Sequence, residues 1–210
     1  MELFLFQLAI LIFSVVIHEV SHGVVANSLG DPTAKNAGRL TLNPIPHIDP
    51  VGSVIVPLFL LLASSWQGGG IIFGWAKPVP INPFNFRDQK WGQLKVGLAG
   101  PASNFAIAIA FGLILRFFPL EIFGNSAFPS ILGYIVRLNL LLGIFNLFPF
   151  PPLDGSHVLF SLLPRSFDAL KILLSQYGFL LIFLLIFFFF GIISSLIRLI
   201  FSFIAGASVY

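Results

Sequence analysis

Residues 3–26 read LFLFQLAILIFSVVIHEVSHGVVA. Apart from Gln7, Ser14 and one polar cluster the stretch is apolar, and it exceeds the ~20 residues that a helix needs to cross a bilayer. The cluster is His18-Glu19-Val20-Ser21-His22. On a helix, side chains four positions apart stand one above the other, at about 5–6 Å between Cβ atoms. Two imidazoles so placed can share one tetrahedral Zn2+, and the carboxylate of Glu19 can act as general base toward a metal-activated water. Each ionisable group at bilayer depth costs at least ~2.5–3.5 kcal/mol on insertion scales. Three within five residues therefore point to chemistry, against the plainer alternative of hydrogen-bonded core histidines in a chance pattern.

The rest of the chain agrees with a membrane setting. Its 210 residues are 57% hydrophobic and 9% charged, with a mean hydropathy of +0.99, where a soluble domain carries about 25% charged residues. The expectation is an all-α polytopic membrane protein, with residues 1–210 forming a single membrane-embedded domain and the catalytic core at 3–160. No stretch is polar enough to form a separate soluble domain. There is no cysteine, which excludes disulfides, thiolate ligands and a cysteine nucleophile. No basic run points to nucleic acid. Met1-Glu2 brings no positive charge ahead of the apolar run and no small-x-small cleavage site precedes the histidines, so the first segment is expected to stay in the mature protein.

Spans are expected at 3–28, 94–118, 131–148 and 177–205. Gly30-Asp31-Pro32 ends the first, and residues 31–50 and 76–93 are polar loops. Arg39-Leu40-Thr41-Leu42 alternates as a short strand would, and residues 164–176 read as interfacial. Small residues four apart in the second span (Ala99/Ser103, Ala102/Ala106/Ala110) allow close helix approach. Residues 51–73 are ambiguous, because Pro57 and Gly68-Gly69-Gly70 interrupt an apolar run.

A hydrolytic zinc site usually has three protein ligands and one open position. The metzincin pattern would need Gly at 25 and His at 28, where the chain has Val25 and Ser28. After Glu19 the one glutamate is Glu121, in a short loop. The remaining candidates are Asp31, Asp49, His47, Asp154, His157 and Asp168. Asp154 stands out because it follows Asn146-Leu147-Phe148-Pro149-Phe150-Pro151-Pro152-Leu153 and precedes Gly155. Prolines remove donors and block helix, glycine opens unusual conformations, and irregular backbone at bilayer depth must be buried in protein or line a wet cavity. An exposed aspartate in an ordinary turn is the alternative.

Asp154 as ligand constrains topology. The C-terminal ends of the first and third spans must then face one side, which requires an even number of crossings between them. Residues 51–73 are therefore expected to be a re-entrant element between the first and second spans, giving four spanning helices in all, with the glycine run receiving or gating substrate. The same topology gathers Lys35, Arg39, Lys77, Arg87, Lys90, Lys95, Arg165 and Lys171 on or near one face, which the positive-inside rule makes cytoplasmic. The N-terminus is then outside.

Taken together, His18-Glu19-x-x-His22, Ala99-Gly100-Pro101-x-x-Asn104 and Asn146-x-x-Pro149-x-Pro151-Pro152-Leu153-Asp154-Gly155 resemble the site-2 protease family of zinc intramembrane metalloproteases. Gly30-Asp31-Pro32-Thr33-Ala34-Lys35, His47-Ile48-Asp49-Pro50 and Gly74-Trp75-Ala76-Lys77-Pro78-Val79-Pro80 add to the likeness, which covers most of residues 14–160 and is closest to the compact branch without a PDZ-type domain. The resemblance implies His18, His22 and Asp154 as zinc ligands, Glu19 as catalytic base, and Asn146 near the reacting carbonyl, where a helix-end hydrogen bond is its other role. Asn104 and Asn139 are read as bonding between helices. His47 is expected to steady a loop, and His157 to cap or line the helix after Asp154.

The implied activity is a zinc-dependent endopeptidase that cuts membrane protein substrates in or near their transmembrane segments. It would work in the lipid bilayer of a prokaryotic cell membrane, with its active site toward the cytoplasm. A membrane metal transporter or metal-binding membrane protein using the same ligands is the rival from another class. A transporter would need polar groups along several helices, and the last span has few.

Overall fold

The structure is a computed structural model that describes residues 2–56, 76–118 and 127–206. Of the re-entrant element expected at 51–73, residues 57–73 lie outside the described residues, as does Glu121. The described residues are helical, with no strand among them. The chain divides into two compact units, Met1–Gly92 and Gln93–Tyr210. Four helices among the described residues are long and apolar enough to cross a membrane: Leu5–Ser28, Gly92–Phe117, Phe128–Asn146 and Arg165–Ala205.

The first unit is built on helix α1 (Glu2–Ser28). Its buried stripe is Ser14, His18, His22 and Ala26, spaced by four, so the histidine face is the inward face. Gly30 stops the helix. Its positive φ of 106° lets the Asp31 N–H return to the Ala26 carbonyl at 3.0 Å, a left-handed cap that a side chain would strain. A short helix α2 (Thr33–Asn36) follows.

Asp31 is then the hub of the unit. It is fully buried, and its carboxylate accepts from the Asn82 N–H at 2.7 Å, from the Asn85 amide at 2.8 Å, and from both the N–H and the hydroxyl of Thr33. These bonds reel residues 82–87 back onto the end of α1, where the Arg87 N–H also reaches the Leu29 carbonyl at 2.8 Å. Burial pushes the Asp31 carboxyl up, but the hydrogen bonds from Thr33, Asn85 and Asn82 outweigh it and leave the group below its ordinary value.

The strand expected at Arg39–Leu42 does not form; these residues bend. Alternation alone gives no ladder partner. The Arg39 side chain turns inward to backbone carbonyls, and the Thr41 hydroxyl accepts the Asn43 N–H in a local turn.

The second unit opens with α3 (Gly92–Phe117), followed by α4 (Phe128–Asn146), α5 (Asp154–Leu162) and α6 (Asp168–Ala205). Its core joins Ala108 and Leu115 of α3, Leu132, Val136 and Leu140 of α4, and Phe201 and Ala205 of α6. The expected polar link between spans is present: the Asn104 amide donates to the Asn139 carbonyl oxygen at 2.9 Å, both side chains being buried. The last helix begins earlier than the span expected at 177–205. Asp168 sits in its first turn and pairs with Lys171 at 3.0 Å, and nothing between Asp168 and Tyr177 breaks a helix. Its 38 residues run to ~57 Å at ~1.5 Å each, nearly twice a ~30 Å hydrocarbon core. The polar stretch at 164–176 is therefore largely the first turns of α6.

The turn between α4 and α5 is held by missing side chains. A Cβ on Gly155 would strike the Leu147 and Phe148 carbonyls, one on Gly178 of α6 would strike the Pro151 carbonyl, and one on Gly97 of α3 would lie 3.1 Å from the Asp154 carbonyl oxygen. Three glycines thus let backbone pack on backbone and fix where α5 starts.

Gly178→Ala should destabilise the protein by about 1–3 kcal/mol through overpacking, whereas Gly191→Ala, whose added Cβ meets nothing within 4 Å, should leave Tm in detergent unchanged or higher. Asp31→Asn should cost about 2–3 kcal/mol at neutral pH by leaving buried donors poorly matched. Because the folded-state pKa of Asp31 is depressed, its stabilisation is complete above the unfolded value of ~3.9 and is lost as pH falls through the folded value. The gap in Tm between wild type and Asp31→Asn should therefore close on acidification below about pH 4; a gap unchanged in strong acid would contradict the assignment.

Candidate metal centre

In the first unit, α1 brings His18 and His22 together as their spacing requires. Their Nε2 atoms are 3.1 Å apart and their rings meet edge to face at 4.7 Å between centroids. Both are buried, each 6% exposed. Two nitrogens at ~2.0–2.1 Å from a tetrahedral zinc stand about 3.3 Å from each other. The pair therefore already has close to the separation that a shared zinc would need. Ser21, between them, is satisfied within the helix by the Ile17 carbonyl at 2.7 Å.

Glu19 lies one residue along, half-buried. Its Oε2 accepts the Val79 N–H at 2.9 Å. Val79 comes within reach because Gly23 has no side chain: a Cβ there would lie 2.6 Å from Leu40, 3.0 Å from Val79 and 3.2 Å from Ala34. Residues 77–79 are also held from behind, since the Lys77 N–H donates to the His47 carbonyl at 2.8 Å and the Arg39 guanidinium donates to the Lys77 carbonyl at 2.7 Å. His47 is thus the loop-steadying residue expected, fully buried, with its own Nε2 at 3.0 Å from the Thr41 carbonyl oxygen. In the sequence Val79 is only part of a motif, and its bond to Glu19 has no signal there. An amide donor sixty positions from its acceptor leaves no periodicity to read.

In the second unit, Asp154 is the first residue of α5, where the positive end of the helix dipole favours an ionised carboxylate. The helix expected after Asp154 begins at Asp154 itself, because Leu153 keeps extended backbone (φ −76°, ψ 152°) as the cap. His157 follows on the exposed side of α5, with its Cβ near Gly97. Asn146, the last residue of α4, donates one amide N–H to the Leu142 carbonyl at 3.0 Å. That is the helix-end bond expected as its alternative role, and a second N–H remains on the same nitrogen.

The other carboxylates weighed as ligands are engaged elsewhere. Asp31 is the hub described above, Asp49 caps residues 50–55 by accepting the Val51 and Gly52 N–H groups at 3.0 and 2.7 Å, and Asp168 pairs with Lys171.

Comparison with known proteins gives a consistent picture. The model of "Peptidase family M50" matches residues 120–186. A Bacillus subtilis (strain 168) protein named "Putative zinc metalloprotease YwhC" is 38% identical over 182 residues, covering 84% of this chain and 77% of its own. "Zinc metalloprotease MJ0392" of Methanocaldococcus jannaschii is 37% identical over 95 residues, covering 44% of this chain and 27% of its own. A third, "Putative zinc metalloprotease Rip2" of Mycolicibacterium smegmatis, is 29% identical over 185 residues, covering 87% of this chain and 67% of its own. No solved structure matches. Helices fit to cross a membrane, a histidine pair on one of them, and a relative matched over most of both chains lead to one conclusion: this is an integral membrane peptidase, and it belongs to peptidase family M50, the site-2 protease family.

Proposed function

We propose that the chain is an intramembrane endopeptidase, cutting membrane protein substrates in or beside their transmembrane segments. His18, His22 and Asp154 hold zinc, and Glu19 is the general base. The observation that carries this reading is the paired Nε2 atoms of His18 and His22, with Glu19 between them, on a helix fit to span a bilayer. Zinc is the metal named for the relatives. Asp154 is the third ligand of choice because Asp31, Asp49 and Asp168 already serve other partners and because its place at a helix start favours the ionised form that a ligand must have.

When bound, zinc supplies a Lewis acid that polarises a peptide carbonyl and acidifies water. The residues of the chain do the rest. Glu19 takes the proton of the attacking water and passes it to the leaving amine. The Val79 N–H fixes one carboxylate oxygen of Glu19, which limits the directions in which the other can accept that proton. The second N–H of Asn146 is available to the substrate carbonyl oxygen. A substrate helix must unwind before its carbonyls can be reached, so substrates should carry helix-weakening residues near the cut. The basic residues of the polar loops orient the site toward the cytoplasm.

Purified wild type should cleave a transmembrane peptide in detergent, and Glu19→Gln should keep its zinc while losing at least about a hundredfold in kcat. Full cleavage by a zinc-loaded Glu19→Gln would rule out this mechanism.

A further inference from the structure

Arg39 is buried, 7% exposed, and the chemistry above gives it no part. Its terminal nitrogen donates to two successive carbonyls, that of Lys77 at 2.7 Å and that of Pro78 at 3.3 Å. The Pro78 carbonyl and the Val79 N–H are opposite ends of one peptide unit. Arg39 therefore grips one end of the unit whose other end holds Glu19 Oε2 at 2.9 Å.

Two effects follow. The first is geometric. Pro78 and Pro80 have no N–H, so the Val79 N–H is the one amide donor over residues 78–80. A shift of the 77–79 backbone would move that donor off the carboxylate. The second is electrostatic. A cation on the carbonyl draws charge along the peptide plane and makes the N–H a stronger donor, the cooperative case of linked hydrogen bonds in a low dielectric. Lysine would not replace it, because a compact ammonium on a flexible stem lacks the rigid planar donor array that bridges neighbouring carbonyls.

We propose that Arg39 is a positioning residue for Glu19, holding and polarising the Pro78–Val79 peptide unit that fixes the catalytic carboxylate. The proposal rests on the reading of Glu19 as general base.

The test is kcat and KM per bound zinc on a transmembrane peptide, for Arg39→Gln, Arg39→Lys, Val79→Pro, which deletes the donor, and the Arg39→Gln/Val79→Pro double variant. Arg39→Gln and Val79→Pro should each lower kcat about ten- to hundredfold, the range seen when a group that orients a catalytic residue is removed. KM and zinc stoichiometry should stay within about twofold. The double variant should be no worse than Val79→Pro, because Arg39 acts through the Val79 N–H. Wild-type kcat per zinc in Arg39→Gln, or losses that multiply in the double variant, would overturn the proposal. Should Arg39→Gln fail to fold, Arg39→Lys decides: a reduced kcat at full zinc is expected, and wild-type kcat overturns it. Glu19→Gln separates the two layers. If it cleaves normally, the base assignment has failed. If it is inactive while Arg39→Gln cleaves normally, only the role of Arg39 has failed.

Discussion

The cost of placing two imidazoles and a carboxylate in an apolar helix is the constraint around which the first unit is built. Water cannot compensate these groups at bilayer depth, so the protein must. The histidines face each other at 3.1 Å. The carboxylate of Glu19 is met by a backbone N–H, carried in on a segment that crosses α1 where Gly23 leaves room. Bringing that segment there requires the chain to turn back sharply after α1, which Gly30 permits, and to stay turned back, which the four donors around Asp31 enforce. One buried aspartate thus supports the segment whose N–H meets a second carboxylate, that of Glu19.

The second unit solves a related problem with backbone instead of charge. Asp154 starts α5 although the residues before it are rich in proline and cannot continue α4. Gly97, Gly155 and Gly178 admit the carbonyls of Asp154, Leu147 and Pro151 at distances no side chain would allow, so the turn is clamped by close packing. The buried Asn104–Asn139 bond ties α3 to α4 above it. A polar pair in such a setting fixes helix register more than it adds stability.

Much of this was legible in the sequence, for reasons that can be named. The four spans are long apolar runs, and a period of 3.6 places His18 over His22 whatever the tertiary context. The proline-glycine frame marks Asp154 because those residue types act locally. What escaped was set by distant partners. The bond from Val79 to Glu19 joins residues 60 apart. Asp31 read as a possible ligand because a carboxylate looks the same in sequence whether it binds metal or four protein donors. Arg39–Leu42 read as a strand because alternation is the strand signal, yet alternation is equally produced by an arginine turned inward to clamp a neighbouring loop. Helix α6 starts ahead of the span expected at 177–205, inside the stretch read as interfacial, because Asp168 and Lys171 support the first turn of a helix.

The central proposal is the ligand set His18, His22 and Asp154. The most direct measurement is the zinc content of purified, monodisperse wild-type protein beside Asp154→Ala. The account predicts about one zinc per wild-type chain, with most of it lost from the variant. Undiminished zinc in Asp154→Ala would contradict the claim and return the third ligand to His47 or His157.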